Sequence, residues 1–216
     1  MVQKEEERRL GRPREYDPKV ALERATEAFS DAGFSGTSLD DLSARTEMNR
    51  PSLYSAFGDK EALYLKTLEN YLEERRQGIG AALSGDRPLA EALGALYEHM
   101  IDRFLIGEHG ARGCYLVGTA VTEAVQSPKV RELLAQSLMD LDEGFRAAFS
   151  AAQERGELGE QADPRALAMI ASAVAHALAL RARSGQSRAA LRAVADSAVK
   201  LLCSSPQPVK KRRRGR

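Results

Sequence analysis

The stretch MNRPSLYSAFGDKEALY, Met48 to Tyr64, gathers side chains of defined hydrogen-bonding capacity around a proline. Arg50 offers paired N–H donors that match the acceptor edge of guanine, and Asn49 offers the donor–acceptor pair that fits adenine. A helix starting here could read bases in a major groove, with Ser52 as a third contact. Tyr54 and Lys60, together with Thr37 and Ser38 upstream, carry the hydroxyls and the ammonium that suit phosphate oxygens and would fix register instead. Helix capping and solvated charge explain the same residue types, so context has to decide. A second set lies in HMIDRFLIGEHGARGCYLVGTAVTE, where His99, Arg103, Tyr115, Thr119 and Glu123 alternate with apolar neighbours, and His176 sits in a later apolar run. Such mixtures line small-molecule pockets, and they also fill cores or pair helices. His99, His109 and Cys114 match no compact metal-ligand spacing, so no metal is expected. No glycine-rich phosphate loop, nucleophile elbow or catalytic triad spacing stands out, so neither a cofactor nor an enzyme is expected.

The elements that must hold these residues read as helices. Ala and Leu abound and β-branched runs are nearly absent among the 216 residues, which favours an all-α fold. Asp17 caps a first helix from Pro18 to about Ala32, stopped by Gly33. Thr37 and Ser38 cap a short second helix ending near Arg45, with Asp40 and Asp41 in its first turn. Asn49 caps a third that begins at Arg50, buries Leu53 and Phe57, and ends at Gly58. Asp59 caps a fourth, to about Gln77. Five more follow: Pro88 to Ile106, Cys114 to Val125, Pro128 to Arg155, Pro164 to Arg183 and Arg188 to Cys203, with Val130, Leu134, Leu138, Leu141, Phe145, Phe149 and Ala152 as the stripe of the seventh. Two short helices joined by a tight turn and braced by a preceding helix make a helix-turn-helix.

The net charge of +1 neither demands nor excludes nucleic acid. Its distribution is uneven: Arg12 and Arg14 belong to a basic arm that could enter a minor groove, and a basic tail closes the chain. Between them, residues 20–66 hold five Lys/Arg against eight Asp/Glu, an acidity that weakens a purely electrostatic case. Two cysteines and a polar start point to a reducing cytoplasm. The run Ala166 to Leu180 falls short of a membrane span, so a packed helix and no membrane partner are expected.

GFSGTSLDDLSART followed by NRPSLYSAFGDKEALY resembles the amino-terminal DNA-binding domain of TetR-type bacterial transcriptional regulators. Gly33-Phe34, Thr37-Ser38, Leu53-Tyr54, Phe57, Lys60-Glu61 and Leu63 carry the likeness, over about the first third of the chain. The resemblance implies a helix-turn-helix domain followed by a helical domain that dimerises and binds a small effector. One position departs: Glu47 stands where the turn usually has glycine, so a turn with φ > 0 would carry strain of order 1 kcal/mol or more and be wider than usual.

The expected organisation is a flexible basic arm over 1–17, a DNA-binding domain over 18–66, an effector and dimerisation domain over 67–204 and a basic tail over 205–216. Small residues on the last two long helices let helices approach closely. Ile170, Val174, Leu178, Leu191, Val194, Ala198 and Leu202 are the expected seam of a homodimer. The expected function is a ligand-responsive repressor on a palindromic, double-stranded operator, with a small molecule of unspecified identity as its effector. The competing reading is a helical carrier or enzyme whose first domain only packs.

Overall fold

The computed structural model describes residues 17–83, 85, 87–107 and 112–204. Arg12, Arg14, His109, the arm and the tail lie outside the described residues. Among the described residues all regular structure is helical: α1 (Pro18–Gly36), α2 (Leu39–Thr46), α3 (Arg50–Phe57), α4 (Lys60–Leu83), α5 (Leu89–Leu105), a π-helical turn (Leu116–Ala120) running into α6 (Val121–Glu123), α7 (Pro128–Glu154), α8 (Pro164–Arg183) and α9 (Arg188–Cys203). The fold is all-α, as the composition requires.

Local chemistry sets the starts. Asp17, Asn49, Ser127, Asp163 and Ser187 each accept a backbone N–H at a helix front, and proline occupies the first turn of α1, α3, α7 and α8. Ser38 and Asp41 form a reciprocal capping box on α2.

α1 breaks at Gly33, whose φ 75 and ψ 174 are not helical, as the sequence expects, and a further turn carries the span on to Gly36. Two elements differ from the sequence expectation. α4 absorbs Gly78 and runs to Leu83, because Leu72 and Ile79 stay on its buried face and their burial outweighs the glycine cost of about 1 kcal/mol. The expected helix from Cys114 to Val125 is a π-helical turn plus a short α-turn; the wider turn brings Leu116, Thr119 and Ala120 inward together. On α7 the apolar face passes through buried Ser137 rather than Leu138, which is exposed.

One continuous buried cluster joins both parts of the chain. Ala25, Phe29, Leu42, Leu53 and Phe57 pack the first three helices, while Leu93, Leu96, Tyr97, Ile101, Leu141, Phe145 and Phe149 fill the larger bundle. α4 belongs to both, so the expected boundary between 66 and 67 falls inside a single helix.

The expected dimer seam needs correction. Leu178, Leu191, Ala198 and Leu202 are buried in the protomer's own core, and Val174 and Val194 are half-buried. Apolar spacing selected the inward face of each helix. Of that set only Ile170 is exposed; Met169, Leu180 and Leu201 share the outward faces. α8 is long and apolar enough to cross a membrane by length and composition, and it packs against α5, α7 and α9, as the sequence reading expects, with 39% of its apolar window buried in the protein.

Candidate nucleic-acid interface and effector cavity

α3 turns Leu53 and Phe57 into the core, which leaves Arg50 and Tyr54 on the outward side. Tyr54 is 48% exposed, unusual for a large aromatic that packing alone would place. Asn49 is exposed, and its Oδ1 accepts the Ser52 N–H at 2.9 Å, so the cap uses its acceptor and leaves its amide donors for another partner. Ser52 is half-buried behind it. The Arg50 guanidinium lies against Asp40, with Nε at 3.0 Å and Nη2 at 2.6 Å from Oδ1. That hydrogen bond raises an arginine pKa already far above neutrality, so the fork stays charged.

Lys60 sits 4.5 Å over the Phe34 ring at the front of α4, and the Ser38 hydroxyl is tied to Asp41 at 2.6 Å. Thr37 is a correction. Its side chain is 2% exposed, and its hydroxyl donates to the Gly33 and Ala28 carbonyls at 2.7 and 3.3 Å, so it locks the junction of α1 and α2 and cannot reach a phosphate.

Glu47 adopts φ 57 and ψ 26, and among the described residues no other non-glycine residue has positive φ. The turn therefore keeps the left-handed geometry despite its glutamate, whose carboxylate reaches Arg24 at 2.9 Å. The acidity of residues 20–66 also has a structural use. Asp31 bridges Arg45 on α2 and Arg112 from the larger bundle, both at 2.8 Å.

From this surface a chain of aromatic contacts and hydrogen bonds leads into the bundle. The rings of Phe29 and Phe34 each lie 5.0 Å from that of Tyr64. The Tyr64 hydroxyl donates to Thr119 Oγ1 at 2.8 Å, and Thr119 donates to the Tyr115 carbonyl at 2.9 Å. Thr67 gives its proton to the Tyr64 carbonyl at 2.6 Å, so the 2.7 Å contact between Tyr115 and Thr67 has tyrosine as donor. The Tyr115 and Tyr71 rings meet edge to face at 5.5 Å, and the Tyr71 hydroxyl lies 3.4 Å from Cys114 Sγ. Burial pushes the Tyr64 phenol up to about 12 and raises those of Tyr71 and Tyr115, so all three stay neutral.

The chain ends at a cavity of about 410 Å³ between α4, α5 and α8. Three expected pocket residues meet there: His99, Arg103 and His176. Burial, and then the Arg75 charge, lowers the His176 pKa and favours the neutral imidazole. Tyr115 lines an adjoining polar groove instead. Thr119 and Glu123 do not line the cavity: Thr119 is buried in the tyrosine chain, and Glu123 accepts from Ser35 at 3.1 Å across the seam to α1. Tyr71, Arg75 and Cys114 are walls that pattern reading missed. Gly113 (φ 68) seats Cys114, since a Cβ there would lie 2.8 Å from the Ala179 carbonyl. Among the described residues no group of three or more His, Cys, Asp or Glu could hold a metal ion.

Two family models match this arrangement, bacterial regulatory proteins of the tetR family over residues 21–67 and the tetracyclin repressor-like C-terminal domain over residues 90–198. The chain belongs to the tetR family. It is a transcriptional regulator with a helix-turn-helix DNA-binding domain. Its relatives in this family include the uncharacterized HTH-type transcriptional regulator YezE of Bacillus subtilis (strain 168), 30% identical over 160 residues, 74% of this chain and 82% of YezE. The HTH-type transcriptional repressor ComR of Escherichia coli (strain K12) is 26% identical over 191 residues, 88% of this chain and 91% of ComR. Among solved structures, a cysteine mutant of the TetR family regulator CifR in complex with 26-bp double-strand operator DNA superposes with a TM-score of 0.80 at 31% identity, covering 88% of this chain and 98% of CifR. These relatives are tetR regulators rather than enzymes.

Proposed function

We propose that this tetR regulator is a cytoplasmic repressor that binds a palindromic operator as a homodimer and leaves it when a small molecule occupies the 410 Å³ cavity. The observation that carries the reading is the outward face of α3, where Arg50 and Tyr54 stand exposed while Leu53 and Phe57 anchor the helix. Arg50 exchanges Asp40 for a base edge, Asn49 adds its amide donors, and Ser52 lies beside them. Tyr54, Lys60 and the exposed front of α2 at Ser38 meet phosphates. Residues 18–66 act as the reading head and 67–204 as the sensor, joined rigidly by α4.

Two reading heads require a two-fold partner. The apolar residues left outward on α8 and α9, Met169, Ile170, Leu180 and Leu201, supply a seam for it. A ligand that pushes on Tyr71 and Cys114 acts through Tyr115, Thr67, Thr119 and Tyr64 on the packing of Phe34 beneath Lys60, and so shifts the population away from the binding geometry. On this path lies the π-helical turn Leu116–Ala120, to which we assign the switch between the two geometries.

The test measures fluorescence anisotropy of a bound operator duplex under competition with random DNA. Wild-type binding survives random competitor by about 10³-fold or more, whereas Arg50→Ala lowers that preference by about tenfold or more while its unfolding temperature is unchanged. Equal preference in both proteins would remove α3 as the reading element.

A further inference from the structure

A second cavity, of about 450 Å³, lies between α4, the start of α5 and α7, and shares Arg75 and Ile79 with the first as a common wall. Its floor is apolar, formed by buried Leu72, Leu89 and Leu141. Gly144 keeps α7 close to α4 there, since a Cβ at that position would meet Ile79 Cγ2 at 3.0 Å. Around this floor stand four guanidiniums, Arg75, Arg76, Arg87 and Arg155.

Two of the four hydrogen-bond directly to carboxylates. Asp140, the one carboxylate among the lining residues, accepts from Arg76 at 2.9 Å and from Gln136 at 2.7 Å. Glu157, just outside, takes Arg155 at 2.7 Å and the Leu89 N–H. Among the described residues Arg75 donates to the Ser137 hydroxyl at 3.1 Å, with the Asp140 charge nearby, and Arg87 donates to the Ala82 carbonyl at 3.4 Å. Arg75 is half-buried, where a charge-assisted hydrogen bond gains most. An apolar chamber rimmed by four guanidiniums and the Asp140 carboxylate suits two features at once, a hydrocarbon body and an anionic head.

We propose that this cavity binds an amphipathic monoanion, an aliphatic carboxylate of medium chain length, with its head on Arg75 and Arg87 and its tail over Leu72, Leu89 and Leu141. Guanidinium forks match carboxylate geometry, and a cavity of this size is within the range that encloses small ligands. The Asp140 carboxylate on the same rim opposes a second negative charge, which selects a carboxylate over a phosphate dianion. The assignment does not require the repressor reading, because Arg87 and the leucine floor line this chamber and not the first, and binding is measured without DNA.

Titration calorimetry of the purified full-length protein with decanoate, decanol and butyrate tests it. Decanoate binds one per chain, and decanol and butyrate bind at least about tenfold more weakly, one for want of the head and the other for want of the tail. Arg75→Gln and Arg87→Gln each weaken decanoate several-fold, Ala148→Phe closes the chamber and abolishes binding, and Arg103→Gln in the other cavity changes nothing. Arg87 is exposed, so its variant keeps the experiment decisive if Ala148→Phe fails to fold. Decanol binding as tightly as decanoate, decanoate binding indifferent to both arginines, or no decanoate binding at millimolar ligand each overturns the proposal.

Discussion

Thr119→Val is the sharpest probe of the chain of contacts that joins the helix-turn-helix to the larger bundle. Valine keeps the volume of threonine and removes only the oxygen that accepts the Tyr64 hydroxyl at 2.8 Å. Tyr64 is 1% exposed and Thr119 3% exposed, so water has little access to replace the lost partner. A buried donor stripped of its acceptor costs about 1–3 kcal/mol. For a chain of this size each kcal/mol moves the unfolding temperature by roughly 2–4 °C, so a loss of about 2 kcal/mol lowers it by about 4–8 °C. Tyr64→Phe removes the donor instead and leaves Thr119 still bonded to the Tyr115 carbonyl, at a cost nearer 1 kcal/mol. The double variant has no stranded hydroxyl, so it is no less stable than Thr119→Val alone. Thermal unfolding by circular dichroism at one fixed protein concentration reads all four corners of the cycle. Strictly additive losses would refute the contact and the chain built on it.

Other outcomes follow from the same geometry. Asp40→Asn releases Arg50 and tightens operator binding up to about fivefold, the worth of one exposed ion pair, in an anisotropy titration at fixed salt. Glu47→Gly relieves left-handed strain of about 1 kcal/mol and loses one exposed bridge to Arg24 of comparable size, so chemical denaturation finds stability unchanged or slightly raised; a clear destabilisation would contradict the turn geometry. His176 has its pKa lowered in the fold, so the unfolded chain binds the proton first as pH falls. Its contribution is present above the ordinary histidine range and is lost as the pH drops through about 6.5 towards the folded value. His176→Gln removes that part of the acid sensitivity between pH 7 and 5.5, read from unfolding midpoints.

The helix-turn-helix was legible because its signals are local. Asn49, Pro51, Gly58 and the capping box Ser38–Asp41 act within one turn of the backbone they control. Thr37 was misread because its exposure depends on how α1 folds back over it, which no spacing encodes. The dimer seam failed for a similar reason. Helical periodicity finds an apolar face on α8 and α9, and each helix has two, one spent on the protomer and one left outward. Half of the expected pocket residues share one cavity: His99, Arg103 and His176 converge only because α5 and α8 pack side by side, and Cys114 joins them from a glycine-seated loop. Tyr64 and Tyr71, seven residues apart on one face of α4, were the available signal for the chain linking the two parts.

Selecting bound duplexes from random DNA with wild-type protein and with Arg50→Ala measures the reading role of α3 most directly. Wild type should return a two-fold symmetric consensus whose half-sites lie about 34–36 Å, or a multiple, apart, and Arg50→Ala should lose preference at one base pair in each half while the flanks persist. No symmetric consensus, or an identical consensus from both proteins, would contradict it.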